Sequence, residues 1–72
     1  MYLIFYKTNN VFLAEGRIKS KGYECDVVPT PVQDIAYCGI CLETSEAYEN
    51  AVVSILVDLE HKVFFRSIES GL

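Results

Sequence analysis

The chain opens on Tyr2-Leu3-Ile4-Phe5-Tyr6, an unbroken run of aliphatic and aromatic residues. Such a run suits a central strand covered on both faces. The polar stretch Lys7-Thr8-Asn9-Asn10 follows, and Thr8 or one of the asparagines offers a side-chain oxygen that can cap a helix start. Val11, Ala14 and Ile18 then recur at helical spacing, with Phe12 and Leu13 widening the stripe. The helix is expected to stop near Lys21, because Gly22 is the residue type favoured just past a helix C-terminus. Gly16 lies inside it at a cost of about 1 kcal/mol relative to alanine, and a close helix–sheet approach is one reason for a glycine there.

Tyr23-Glu24-Cys25-Asp26-Val27-Val28 alternates, with Tyr23, Cys25 and Val27 on one face and the two acids on the other. This second strand is expected to end at Pro29. A loop opening with Pro29-Thr30-Pro31 then runs to Cys38, and Ile40-Cys41-Leu42-Glu43 reads as a third strand with Ile40 and Leu42 inward. Thr44 or Ser45 caps a second helix, and Glu46 and Glu49 suit its positive end. Tyr48, Val52, Ile55, Leu56 and Leu59 follow the spacing of one apolar face. Lys62–Ile68 is the fourth strand, and residues 69–72 form a tail expected to fray.

The order is β-α-β-β-α-β. Two split β-α-β units with right-handed crossovers give an α+β, ferredoxin-like sandwich: a four-stranded antiparallel sheet with both helices on one face. All 72 residues are expected to form one domain. A chain this short buries only about 60–65% of the surface it exposes when unfolded. Strand 1 sends Leu3 and Phe5 to one side and Tyr2, Ile4 and Tyr6 to the other, while strand 4 sets Val63 and Phe65 against Phe64 and Ile68. Since helices cover one face only, the other is expected to leave an apolar, aromatic patch uncovered, and such patches mark interfaces. A homodimer through this open sheet face is one reading of it, and a few half-exposed tyrosines are the other.

Charge narrows the partners. The net charge is −4 and the six basic residues are scattered, which argues against nucleic acid, whose phosphates are bound by clustered Lys and Arg. Lys19 and Lys21 suit the end of the first helix. Tyr2–Tyr6 and Val52–Val57 are too short for a signal-peptide core or a membrane span. The three cysteines are an odd number, unlike the even set of a small secreted disulfide scaffold, so reduced thiols and a cytoplasmic location are expected. No cofactor or metal is expected.

The thiols differ in setting. Cys25 alternates with Tyr23 and Val27 and is expected in the core, where free cysteine is common. Cys38 ends the proline-rich loop and precedes Gly39, a residue that allows unusual backbone conformations. It is expected to be the most accessible thiol, walled by Val32 and Ile35, with the Gly39 amide open to it. Asp34 nearby raises a thiol's pKa and no cation adjoins it in sequence. Cys41 completes C-G-I-C, a spacing shared by disulfide oxidoreductases and metal sites. Three extended residues separate Cα atoms by about 10 Å, whereas a disulfide needs less than about 7 Å, so the pair closes only if Gly39-Ile40 turns. Otherwise Cys41 sits on the outer sheet face. His61 is remote in sequence and reads as a partner for a helix end.

Pro29-Thr30-Pro31, a short spacer, Cys38-Gly39, then Ile40 and Leu42 on a strand resemble the "putative Se/S carrier protein-like" family of small bacterial domains, over roughly Tyr2 to Ile68. The resemblance implies a cytoplasmic carrier in sulfur transfer or selenium metabolism that holds sulfur or selenium on Cys38, with donor and acceptor proteins as partners and no catalysis of its own. The chain departs from the family pattern at Val32, where an arginine is common, and at Cys41, where a small residue without a thiol is usual. Cys41 then reads as a resolving thiol or as a neutral substitution. Two other functions stay open: a non-catalytic docking or dimerisation module, and soft-metal trafficking through Cys38 and Cys41, since thiolate pairs select Cu(I).

Overall fold

The computed structural model describes residues 1–31 and 36–65. Four strands and two helices follow in the expected order: β1 (Tyr2–Ile4), α1 (Thr8–Ser20), β2 (Cys25–Pro29), β3 (Ile40–Thr44), α2 (Glu49–Ile55) and β4 (Lys62–Phe64). A 3₁₀ turn over Glu46–Tyr48 leads into α2. The strands form one sheet in the order β2-β3-β1-β4, every neighbouring pair antiparallel. β1 and β2 are not neighbours, as two interleaved β-α-β units require. This is the ferredoxin-like arrangement.

Alternation along β1 decides which face meets the helices. Leu3 and Phe5 join Val11, Ala14 and Ile18 of α1, Val52 of α2, Leu56 just beyond it, and Cys25 and Leu42 in a single buried cluster. Tyr2, Ile4 and Cys41 form a second cluster on the other face, packed against Val28, Tyr37 and Phe64. The expected uncovered patch is absent at those three positions. Tyr2 is 5% exposed, and Ile4 and Cys41 are 0% exposed within this one chain. Apolar side chains stand exposed on the helices instead, at Phe12, Leu13 and Val53, and at Val57 beyond α2.

The helix ends show where side-chain patterns succeed and fail. Residue Lys7, rather than Thr8 or an asparagine, holds the extended N-cap position of α1, with no side-chain cap. At the other end Gly22 has φ +90°. The Gly22 amide donates to Lys19 O at 3.0 Å and the Tyr23 amide to Ile18 O at 3.2 Å, the paired bonds of a Schellman turn. Ser45 caps the 3₁₀ turn by accepting from the Ala47 amide at 3.2 Å. Gly16 is exposed, and a Cβ built on it meets nothing within 4 Å, so no close helix–sheet approach accounts for it. Pro29 closes β2 from within, on an edge strand where its missing N–H is tolerated. Beyond Phe64 and Phe65, the expected continuation to Ile68 and the tail lie outside the described residues.

Candidate functional site

The β2–β3 connection carries the candidate thiol at the end of the sheet where β1 also finishes. Strand pairing continues past the last residue of β2, because the Thr30 amide donates to Gly39 O at 3.0 Å. Cys38 is thereby drawn back onto the sheet. Its amide donates to Phe5 O at 3.1 Å, and its carbonyl accepts from Thr30 Oγ1 at 2.8 Å. The thiol donates to Ile40 O, with Sγ at 3.0 Å. Cys38 is half-buried and packs beside the helix-side core. A residue tied through its amide, carbonyl and sulfur is not a floppy loop thiol.

Tyr37, one residue earlier, goes to the opposite face. Its ring lies 5.6 Å from that of Tyr6 and 6.4 Å, edge-on, from that of Phe64, distances at which aromatic pairs attract. The chain is thus anchored on the outer face by Tyr37 and on the helix side by Cys38. Neither Tyr37 nor Thr30 stands out by residue type. Tyr37 is marked in the sequence only by its place beside the thiol, and Thr30 only by the Pro29-Thr30-Pro31 motif that carries the family resemblance.

The other site residues stand as follows. Gly39 is exposed and has an ordinary φ, and a Cβ built on it meets nothing within 4 Å. The expectation that it supplies a special backbone conformation is therefore corrected. Its carbonyl is taken by Thr30, and Cys38 Sγ bonds the Ile40 carbonyl. Cys41 lies on the outer face, packed with Tyr2 and Ile4, three residues along an extended chain from Cys38. Gly39-Ile40 does not turn to close the pair, and all three cysteines are free thiols. Val32, Asp34 and Ile35 lie outside the described residues, so the expected walls and the nearby acid do too.

Electrostatics separate the thiols further. Burial pushes the Cys41 thiol up to about 11, against the neighbouring Thr30 hydroxyl, which favours the thiolate, while Cys38 and Glu43 add to the rise. Its sulfur also approaches Pro29 O at 3.8 Å. Cys25, 5% exposed, is raised too, first by burial, with Lys19 opposing and Glu15 and Asp26 adding. Both stay protonated and covered at neutral pH. His61 lies in the segment after α2, its Nδ1 2.6 Å from Leu59 O and its ring 5.9 Å from that of Phe5.

Among the described residues no three His, Cys, Asp or Glu side chains stand together to hold a metal ion, and no helix is long and apolar enough to cross a membrane. No curated protein and no solved structure matches the chain. One family model, described as "Putative Se/S carrier protein-like", matches residues 1–67, and the chain belongs to that family.

Proposed function

We propose that this protein carries sulfur or selenium on Cys38 as a persulfide or selenosulfide. The family description is a carrier's rather than a catalyst's. The observation that supports the choice of thiol is the contrast among the three cysteines: Cys25 and Cys41 are buried, while Cys38 is partly open yet fixed by backbone bonds. A carrier needs a sulfur that reagents reach and a position that does not wander. It needs no general base or oxyanion hole, because each exchange passes one sulfur or selenium atom from thiolate to thiolate.

The loading step balances without oxidant or reductant. The Cys38 thiolate attacks the outer sulfur of a donor persulfide R–S–SH, the donor's S–S bond breaks, and R–S⁻ takes up the proton that Cys38 lost. Net, Cys38–SH and R–S–SH give Cys38–S–SH and R–SH. A donor R–S–SeH gives Cys38–S–SeH in the same way. Unloading repeats the exchange, with an acceptor thiolate attacking the outer atom and Cys38 leaving as the thiolate. Donor and acceptor proteins dock at this end of the sheet, in the reducing cytoplasm that keeps the thiols free. A resolving or metal-pairing role for Cys41 requires the 38–41 segment to leave the sheet, because the two residues pack against opposite faces. Dimerisation through the outer face loses its main support where Tyr2, Ile4 and Cys41 are already covered.

The test is incubation of the native chain with a small organic persulfide, followed by intact mass and peptide mapping. The expected result is a gain of one sulfur on the peptide containing Cys38, abolished in Cys38→Ser and reversed by a thiol. No gain, or a gain mapped to Cys25 or Cys41, overturns the proposal.

A further inference from the structure

We infer that Thr30 is the positioning residue of the carrier site, holding Cys38 half-buried against the sheet through its hydroxyl. The inference rests on the carrier role proposed above. Thr30 grips the two peptides that flank Gly39: its amide donates to Gly39 O at 3.0 Å and its hydroxyl to Cys38 O at 2.8 Å. It is itself 9% exposed, so water does not readily replace it there. The other tethers, from the Cys38 amide to Phe5 O, from the Thr30 amide to Gly39 O and from the Cys38 thiol to Ile40 O, leave the Cys38 carbonyl itself unheld. Without the hydroxyl, the Cys38 carbonyl loses its partner at a largely covered position, and the Cys38–Gly39 segment is held less firmly against the sheet.

A second observation explains why the hydroxyl serves Cys38. A threonine has one hydroxyl proton to donate, and Thr30 also adjoins the sulfur of Cys41. A Cys41 thiolate would compete for that proton, whereas a protonated Cys41 leaves it on the Cys38 carbonyl. Burial of Cys41 on the outer face keeps it protonated. Thr30 thus sits between the two cysteines, and the outer-face cluster secures its bond to the Cys38 carbonyl. The functional consequence is partial protection: a thiol, or a sulfur bound to it, meets stray small reagents less readily while the segment is held against the sheet than when it opens.

The experiment compares wild type, Thr30→Val and Thr30→Ser in the full chain. Amide exchange at Cys38, exchange at Leu42 and iodoacetamide labelling of Cys38 are followed together. Loss of one buried hydrogen bond shifts local opening about tenfold, or about 1.4 kcal/mol. The expected result is therefore about tenfold faster exchange and labelling at Cys38 in Thr30→Val, unchanged exchange at Leu42, and near wild-type behaviour in Thr30→Ser. Unchanged rates at Cys38 overturn the inference, and so does a rise at Leu42 in step with Cys38, which would mark a general loss of stability. If Thr30→Val is unfolded by circular dichroism, Thr30→Ala carries the comparison, and unfolding of both overturns the positioning role. Persulfide loading of wild type is read in parallel. Its failure alongside the tenfold effect removes the carrier reading and leaves Thr30 as the residue that positions Cys38.

Discussion

Cys38 and Cys41 are three residues apart, yet the sheet sends them to opposite faces. Cys41 is 0% exposed and its thiol is pushed up to about 11 from an ordinary 9.0. The native state therefore keeps a proton that the unfolded chain loses near pH 9. Above that value the unfolded state binds fewer protons, and stability falls as pH rises toward the folded pKa. Below about pH 9 the thiol contributes fully. A raised pKa is worth about 1.4 kcal/mol per unit, so wild type is expected to lose about 2 kcal/mol more than Cys41→Ala between neutral pH and about pH 10.5. Urea unfolding across that range, with reductant present, measures the difference. A pH-independent difference would mean that Cys41 is not sealed. The face of Cys41 was legible from period-two alternation, as was the burial of Cys25. The grip of Thr30 on Cys38 was not, because a bond from residue 30 to residue 38 depends on how the intervening loop returns.

The helices and strands were legible wherever a periodic apolar stripe met a turn residue, and less so where backbone alone ends an element. α1 begins behind Lys7 without a side-chain cap although three capping residues follow it. Tertiary packing of Val11, Ala14 and Ile18 sets its position more than the cap does. Its two glycines make a matched test. Gly22 has φ +90° and a Cβ there meets nothing within 4 Å, so alanine would suffer only the left-handed backbone, at about 1–2 kcal/mol. Gly16 is helical and equally open, so alanine there removes glycine's helix penalty of about 1 kcal/mol. Equilibrium urea unfolding is expected to show Gly22→Ala destabilised and Gly16→Ala stabilised by these amounts. Two shifts of the same sign would contradict the Schellman ending of α1 or the helical state of Gly16.

At the scale of the molecule, a two-layer sandwich of 72 residues depends on few large side chains. Phe5 belongs to the helix-side core at 0% exposure, sets its ring 5.9 Å from that of His61, and lends its carbonyl to the Cys38 amide. Phe12 is the same residue type, one helix away, and 53% exposed. Total stability for a chain this long is roughly 4–11 kcal/mol, and truncating a buried phenylalanine costs about 3–5 kcal/mol. Phe5→Ala therefore removes a large share of that margin, while Phe12→Ala is expected to stay within about 0.5 kcal/mol of wild type as a surface change. The two variants also divide at the site. Phe5→Ala deprives the Cys38 tether of the packing that holds its acceptor, so iodoacetamide labelling of Cys38 rises even under conditions where the variant remains folded. Phe12→Ala leaves that labelling unchanged. Thermal unfolding with native-state labelling decides both points. Equal losses from the two substitutions would mean that the core does not lie between the helices and the Leu3–Phe5 face, and the thiol would then have no rigid floor.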